Sequence, residues 1–527
     1  MVYFHNAPAS LRLKELAKKP LDLTQEGALT PERIRAMRTD GMGLELLYAT
    51  ERVSHETLEA LFSLSLEMGV HDKMVAMQAG EKLNCIHGYP SENRAVLHTA
   101  MRDLFEHPQS SPVASQATAL ARREFEKLKS WIHGVEAAAH FTTMVQVGIG
   151  GSDLGPKAIY LALRAFQRPK RHIHFISNVD PDDAAQVVRE VDLSKTLFVI
   201  VSKSGTTLET NTNEALIRHY LEEEGLDPRK HLIAVTGEGS PMDDPLRYLA
   251  SFYIWDYVGG RYSVTSMVGG VILAFALGFD LYAQFLKGAH EMDQIALKER
   301  GFKNLPLLAA LLSIWNRNFL DLPTSAIIPY SQALSRFPAH LQQLEMESNG
   351  KRIDQEGNSV SFETGAIIWG EPGTNGQHSF FQLIHQGTTP IPLEIIGFRK
   401  SQYGEDLLYQ ESSSQQKLIA NLFAQALALS VGQKSSNPNQ LFPGNRPSRI
   451  LFAEKLDAHT MGAILSFYEH QVAFQGFLWG INSFDQEGVQ LGKRLATEFT
   501  KQFVHKNKGE PLDIRGFPLG VAFLESI

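Results

Sequence analysis

Short apolar runs alternate with amphipathic stretches between residues 144 and 237 of the chain. The apolar runs predict strands and the amphipathic stretches predict helices, in the order strand 144–150, helix 154–166, strand 172–177, helix 182–191, strand 196–202, helix 212–225 and strand 231–237. A strand that is apolar along its whole length is covered on both faces, which is typical of a parallel sheet. Regular alternation of such strands with helices indicates βαβ units. We therefore predict a doubly wound parallel sheet in this part of the chain.

A less regular copy of the same alternation follows, with a predicted helix over 304–320 and predicted strands over 324–331, 365–370, 388–398 and 449–456. The first hundred residues have mainly helical patterns, such as 55–70 and 92–105, and the polar stretch 107–115 provides a boundary. We predict an α/β protein with two sheet domains and additional helices at both ends. The predicted ranges are an N-terminal mainly helical segment over 1–112, α/β domains over 113–288 and 289–505, and a C-terminal tail over 506–527.

The composition is that of an ordinary globular chain. Of 527 residues, 43% are hydrophobic and 20% are charged, and the formal net charge of -8 disfavours nucleic acid as a main partner. Cys85 is the single cysteine, so no disulfide can form within the chain and a reducing compartment is expected. The longest apolar run, 268–279, is shorter than the ~18 residues needed to span a bilayer. We therefore expect a cytoplasmic protein that binds neither nucleic acid nor membranes.

Two of the predicted strands end in loops whose residues suit a phosphate group. GIGGSDLGP (148–156) follows the first strand and SKSGTT (202–207) follows the third. Glycines let the backbone approach a ligand closely, and hydroxyl groups and the N–H groups of a helix N-terminus donate to an anion. Neither loop has the spacing of a dinucleotide fingerprint or of a Walker-type loop. The residues alone leave two interpretations open, a monophosphate site and a pair of ordinary helix N-caps.

Four further segments combine charged side chains with glycine. They are VGGRYS (258–263) with Arg261, LQQLEMESNGKR (341–352) with Glu347, GEPGTNGQHSFFQLIHQG (370–387) with His378, and EGVQLGKRLA (487–496) with Lys493. Taken singly, each is a weak indication, because charged residues are common on a solvated surface. His378 and His385 are seven residues apart on one side of a predicted helix, but no third ligand has a fitting spacing. No metal site is predicted.

Taken together, these segments resemble one enzyme family. VGIGGSDLGP, SKSGTT with a downstream glutamate, WDYVGGRYS, MESNGK, GTNGQHSFFQLIHQG and EGVQLGK are similar, in this order, to the motifs of the glucose-6-phosphate isomerase (phosphoglucose isomerase) family. The similarity extends from about residue 92 to about residue 496. The resemblance implies two doubly wound sugar-isomerase (SIS-type) sheets, a homodimer and no cofactor. It also implies that the protein interconverts glucose 6-phosphate and fructose 6-phosphate in glycolysis and gluconeogenesis.

The resemblance further implies roles for individual residues. Glu347 is expected to move a proton between C2 and C1, and Arg261 to stabilise the intermediate. His378 and Lys493 are expected to assist ring opening, with His378 reaching the site from the partner subunit. The residues expected to bind the phosphate or line the site are Gly151, Ser152, Ser202, Lys203, Ser204, Thr207, Gln343 and Gln486.

The chemistry of such an isomerisation agrees with these residue types. A carboxylate can accept a weakly acidic C–H proton, a guanidinium can stabilise an enediolate, and an imidazole titrates near neutral pH. A protein that only senses sugar phosphates would share the hydroxyl-rich loops without needing Glu347, His378 and Lys493 together. Acceptance of mannose 6-phosphate stays open. The loop SKSGTT differs from the SKTFTT of many family members at Ser204 and Gly205, which puts the details of phosphate binding in question.

Overall fold

The computed structural model describes residues 3–527. Its strands are β1 (Arg38–Gly41), β2 (Leu44–Leu47), β3 (Thr143–Val147), β4 (His172–Ile176), β5 (Thr196–Ser202), β6 (Leu232–Thr236), β7 (Ala250–Tyr253), β8 (Thr324–Pro329), β9 (Ile367–Trp369), β10 (Leu393–Lys400), β11 (Leu408–Tyr409), β12 (Ser412–Ser413) and β13 (Ser448–Lys455). Its α-helices are α1 (Pro8–Ala17), α2 (Pro31–Ala36), α3 (His55–Glu67), α4 (Val70–Ala79), α5 (Pro112–Ala138), α6 (Leu154–Leu163), α7 (Pro181–Glu190), α8 (Leu208–Glu223), α9 (Met267–Leu277), α10 (Phe279–Lys298), α11 (Leu305–Ile314), α12 (Phe337–Gln342), α13 (Phe381–Gln386), α14 (Ser414–Val431), α15 (Ala458–Trp479), α16 (Gln490–Lys508) and α17 (Pro518–Leu524).

The first sheet contains five parallel strands in the spatial order β4-β3-β5-β6-β7. Every residue of β3, β5 and β6 is buried, which explains why these strands are apolar throughout. Relative to chain order the arrangement is 2-1-3-4-5, that of a doubly wound sheet whose strand order reverses between β3 and β5. Ligands of such sheets bind beyond the carboxyl ends of the strands at this switch point.

The second sheet repeats this topology. Read from one edge, its parallel strands have the order β9-β8-β10-β13, which is again 2-1-3-4 relative to chain order. One face of β8, β10 and β13 packs against α13 and α14 through a buried cluster that includes Ile328, Ile384, Ile395, Leu422 and Phe452. The predicted fold class is therefore confirmed, including the second, less regular sheet.

The antiparallel hairpin β1–β2 is a feature that the sequence pattern does not predict. β2 pairs with β13 and so extends the second sheet with residues from the N-terminal segment. Met42 and Gly43 join the two strands with φ angles of 56° and 76°, a pair of positive values that fits a two-residue hairpin turn. Each strand is only four residues long, too short for its alternation to be recognised.

The helix predicted over 92–105 is wrong, since the structure has only a short 3₁₀ turn there, His98–Met101. The segment is instead held by a buried ion cluster. Arg102 donates two hydrogen bonds to Asp293, at 2.8 and 2.7 Å, and one to Glu469 at 2.6 Å. Although burial opposes it, the Arg102 guanidinium holds the pKa of Asp293 well below its ordinary value. These tertiary bonds override the helical pattern of the local sequence.

The chain forms two compact units. One extends to Ser483 and contains both sheets, and the other, Phe484–Ile527, contains α16 and α17. In the second unit the rings of Phe499 and Phe517 pack edge to face, with centroids 4.9 Å apart. The division predicted at 112/113, 288/289 and 505/506 remains a proposal. One helical stretch, Gly260–Leu277, is long and apolar enough to cross a membrane, and 94% of it is buried inside the protein, as in the core helix of a soluble protein.

Candidate active site

The two hydroxyl-rich loops lie side by side at the switch point of the first sheet. The loop 148–153 follows β3 and the loop 202–207 follows β5, and these strands are parallel neighbours. In neither case does the N-cap side chain of the following helix, Asp153 for α6 and Thr207 for α8, make a capping hydrogen bond. The helix N-termini therefore retain backbone donors, which favours the interpretation as an anion site over that of ordinary caps.

Glycine at 151 is required by a close approach of two backbones. A Cβ at this position would lie 2.2 Å from the carbonyl carbon and oxygen of Gly260, far inside contact distance. The neighbouring Gly150 has a φ of 60°, and a Cβ there would lie 3.4 Å from Nε2 of Gln343. The glycine loop therefore contacts both the segment that leads to Arg261 and the turn that begins at Gln343.

The loop 202–207 is closed by its own hydroxyl groups. The Ser202 hydroxyl, buried at the end of β5, lies 2.9 Å from that of Thr207. At the exposed tip, the Ser204 hydroxyl accepts hydrogen bonds from the backbone N–H and the hydroxyl of Thr206, at 3.2 and 2.9 Å. Gly205 has a φ of 67°, so the glycine in SKSGTT is explained by a left-handed backbone conformation. The hydroxyl groups are thus held within a tight turn.

Lys203 connects this loop to the segment before Arg261. Its ammonium group donates to the carbonyl oxygens of Val258, at 3.0 Å, and Asp256, at 3.4 Å. Burial lowers the pKa of Lys203, and the positive charge of Arg94 lowers it further. An anion bound at the two loops would add a favourable charge interaction to these two carbonyl contacts.

Arg261 and Glu347 form the charged centre of the site. Arg261 is only 2% exposed; its Nε donates to the hydroxyl of Ser348 and its Nη2 donates to the backbone carbonyl of Ser483, both at 2.6 Å. Its Nη1 lies 3.6 Å from a carboxylate oxygen of Glu347, whose side chain is 19% exposed. The guanidinium is fixed, and the carboxylate beside it remains accessible.

Glu347 is the last residue of a π-helical turn, Gln343–Glu347, that continues α12. Such turns are rare and occur often at functional sites. The residues that follow it hold the turn in place. The Ser348 hydroxyl lies 3.0 Å from that of Tyr262, and the Asn349 amide donates to Glu345 at 3.2 Å and to the Val472 carbonyl at 3.1 Å.

Five of the predicted residues lie close together within the first compact unit. Gly151, Lys203, Arg261, Gln343 and Glu347 are joined by the contacts described above. His378 is exposed in the 3₁₀ turn Gly376–His378, and within residues 3–527 its side chain makes neither a hydrogen bond nor an ion pair.

The two predicted residues of the C-terminal unit, Gln486 and Lys493, are both exposed. Gln486 immediately precedes the 3₁₀ turn Glu487–Val489, and Lys493 lies in the first turn of α16. Among residues 3–527, no group of three or more His, Cys, Asp or Glu side chains is arranged to hold a metal ion.

Three residues that position the charged centre, Ser348, Asn349 and Ser483, are not among the predicted site residues. Ser348 and Asn349 directly follow Glu347 in MESNGK, where a run of short polar side chains was the available signal. Ser483 anchors Arg261 through its carbonyl, and its hydroxyl donates to Asn349 at 2.7 Å. Nothing in the sequence around Ser483 indicates this role, because a backbone carbonyl has no residue-type signature.

Comparison with known proteins gives close and extensive matches. The model of the phosphoglucose isomerase family matches residues 47–513. A glucose-6-phosphate isomerase of Protochlamydia amoebophila (strain UWE25) is 57% identical over 526 residues, covering 100% of this chain and 97% of the relative. One from Chlamydia pneumoniae is 52% identical over 97% of this chain and 96% of its own. A crystal structure of a glucose-6-phosphate isomerase from Chlamydia trachomatis D/UW-3/Cx has a TM-score of 0.94 at 49% identity, covering 99% of this chain and 100% of that one.

The backbone contact at Gly151 leads to a test. Gly151→Ala should weaken the binding of inorganic phosphate by about tenfold or more. A Cβ atom would force the loops of Gly151 and Gly260 apart, and the displaced loop would lose more than one hydrogen bond to the anion. Isothermal titration calorimetry with inorganic phosphate measures this. Gly134→Ala is the matched control, since Gly134 lies inside α5 with no atom within 4 Å of its Cβ position, and its phosphate affinity should stay that of the wild type. Equal affinities of both variants would exclude Gly151 from the anion site.

Proposed function

The chain belongs to the phosphoglucose isomerase family, and on that premise we propose how its residues interconvert glucose 6-phosphate and fructose 6-phosphate. The isomerase activity follows from the family and from relatives of this name that match almost the full chain. The reaction opens the sugar ring and then transfers a proton between C2 and C1, with no net change in composition. It requires a base, a group that stabilises negative charge, a ring-opening acid and base, and a phosphate site.

Glu347 acts as the base. In the direction from glucose 6-phosphate, its carboxylate accepts the C2 proton of the open-chain aldose, and the electron pair moves onto the carbonyl oxygen at C1 to form a cis-enediolate. The proton of the C2 hydroxyl group passes to O1, and the same carboxyl group returns the carbon-bound proton to C1, which leaves a hydroxyl group at C1 and the carbonyl at C2. The observation that carries this proposal is the Arg261–Glu347 pair, in which an accessible carboxylate lies 3.6 Å from a buried guanidinium.

Arg261 stabilises the enediolate. Its position is fixed by the Ser348 hydroxyl and the Ser483 carbonyl, so its positive charge is already oriented before negative charge develops on the substrate. Preorganised charge of this kind needs little rearrangement during the reaction and acts strongly where water is excluded. A guanidinium suits the role of an electrostatic group rather than that of a proton donor.

His378 and Lys493 assist ring opening, in which one group gives a proton to O5 while another accepts the proton of the C1 hydroxyl. An imidazole suits both directions because it titrates near neutral pH. We propose that the protein is a homodimer and that His378 serves the site of the partner subunit. Its exposed position in a surface turn supports this, since an exposed side chain can enter a neighbouring subunit.

The phosphate lies at the loops that follow β3 and β5. Its proposed donors and neighbours are Gly151, Ser152, Ser202, Lys203, Ser204, Thr207, Gln343 and Gln486. The uncapped N-termini of α6 and α8 and the ammonium group of Lys203 favour a dianion here despite the net charge of -8. Holding the phosphate fixes the far end of the open chain, so that C1 and C2 are presented to Glu347.

Each step uses only groups of the chain, so we propose a reaction that needs no cofactor and no metal ion. We propose a cytoplasmic location, because the chain has a single cysteine and therefore cannot form an internal disulfide.

Glu347→Gln tests the base. Glutamine keeps the size of the side chain but cannot accept the C2 proton, so turnover should fall by about 10⁴-fold while the affinity for inorganic phosphate is retained. A coupled assay of fructose 6-phosphate conversion, together with exchange of the C2 hydrogen in deuterated water, measures the loss. Glu222→Gln, an exposed change in α8, is the control and should behave as wild type. Near-normal exchange by Glu347→Gln would refute the assignment.

Mixed dimers test the position of His378. If His378 acts in the partner's site, a dimer of one Glu347→Gln chain and one His378→Ala chain contains one intact site and one doubly altered site. Random mixing of the two inactive variants should then restore about a quarter of the wild-type activity. If His378 acts in its own subunit, every site keeps one defect and activity stays at the level of the parents. Co-expression with two affinity tags allows the mixed dimer to be isolated and assayed.

A further inference from the structure

A small cavity with both polar and apolar side chains on its wall lies next to the π turn that ends at Glu347. Its volume is about 40 Å³, and its walls come from the second sheet, from α15 and from the two π-helical turns Trp315–Phe319 and Gln343–Glu347. The polar side chains on its wall include Asn316, Glu345, Glu394, Gln471 and Gln475. Each of these five residues is at most 5% exposed.

All five side chains have an oxygen atom that no donor of residues 3–527 reaches. The atoms are Oδ1 of Asn316, Oε1 of Glu345, Oε2 of Glu394, Oε1 of Gln471 and Oε1 of Gln475. Buried polar atoms without protein partners are uncommon in folded proteins, and a bound ion or water often supplies the missing contact. Five acceptors on the wall of one cavity indicate a ligand that offers positive charge or several donors.

Two guanidinium groups lie on the wall of the cavity, and each pairs with other carboxylates. Arg449 lies 2.6 Å from an oxygen of Glu394 and 3.5 Å from one of Glu51, and Arg317 lies 3.0 Å from an oxygen of Glu363. Glu345 forms an ion pair with neither of them, and the Asn349 amide donates to its other oxygen, Oε2, at 3.2 Å. Burial of an uncompensated carboxylate is costly, so a positive counter-charge in the cavity would stabilise it.

We propose that this cavity binds a monovalent cation with the weak hydration of K⁺, held by the carboxylates of Glu345 and Glu394 and by the amide oxygens of Asn316, Gln471 and Gln475. Neutral amide-type oxygens can replace the hydration shell of K⁺, as in potassium-selective pores. Divalent cations prefer sites with more carboxylate or water ligands. The volume is sufficient for a single ion, because one water already fits in roughly 10–15 Å³.

The ion would act on structure rather than on the reaction. Glu345 and Glu347 belong to the same π turn, with Glu345 at the cavity and Glu347 beside Arg261. An ion bound to Glu345 therefore stabilises the π turn on the side that lines the cavity. The inference does not depend on the proposed function, because none of the five ligands is a proposed catalytic or phosphate-binding residue.

Thermal unfolding in different salts tests the site. In about 0.15 M KCl the wild type should unfold at least about 2 °C higher than in choline chloride of equal ionic strength, because an ion that binds only the folded state stabilises it. Gln475→Leu removes one ligand oxygen and should lose most of this difference. Gln78→Leu is the matched control, since Gln78 is 2% exposed but lies away from the cavity, and it should keep the full difference.

Crystals grown with RbCl give a second measurement that does not rely on the folding of a variant. Rubidium replaces potassium and scatters X-rays anomalously, so an anomalous peak is expected between Glu345 and Glu394. A Tm that is the same in KCl and choline chloride, or the absence of a rubidium peak in the cavity, would overturn the proposal. Such a result would mean that water and a proton on Glu345 satisfy the five oxygens.

Discussion

The contacts of the Arg261 guanidinium hold together parts of the chain that lie far apart in sequence. A buried guanidinium is tolerated only when its N–H groups have acceptors, and those of Arg261 come from Ser348 and Ser483, while Glu347 lies beside it. The residue before it, Gly260, contacts Gly151 so closely that no side chain fits. One segment therefore sets the distance between the phosphate loops and the proposed base. A shift of this segment would change the spacing between these loops and Glu347.

The π turn Gln343–Glu347 links this site to the interior of the second sheet. Glu347 lies beside the guanidinium, whereas Glu345 lines the buried cavity with Glu394 and three amide side chains. Asn349 contacts Glu345, the carbonyl of Val472 in α15, and Ser483, which in turn holds Arg261. The Arg261–Glu347 pair and the cavity are thus connected through one short segment of π-helical geometry, which is rare and occurs often at functional sites.

The apolar runs predicted the first sheet well, because its strands are buried on both faces; β5 has the bounds predicted for it. The motifs also singled out the loops 148–153 and 202–207, which follow neighbouring strands, and Arg261 and Glu347, which form an ion pair; their roles toward a substrate stay predictions. The hairpin β1–β2 could not be predicted, because its strands have only four residues each. The 3₁₀ turn at His98 depends on the hydrogen bonds of Arg102 to Asp293, a residue 191 positions further along the chain. The roles of Ser483 and Asn349 likewise arise from tertiary contacts.

We propose that the fixed guanidinium of Arg261 beside Glu347 stabilises the transition state rather than the bound substrate. The most direct measurement is the kcat of Arg261→Lys, compared with its dissociation constant for inorganic phosphate. Lysine keeps the charge but cannot reproduce the fork that meets Ser348 and Ser483, so kcat should fall by about 10²–10³-fold. The dissociation constant for phosphate should stay within about twofold of the wild-type value, since the groups proposed to bind phosphate belong to the loops after β3 and β5 and not to Arg261. A kcat close to that of the wild type, or a loss of phosphate affinity as large as the loss of kcat, would contradict the account.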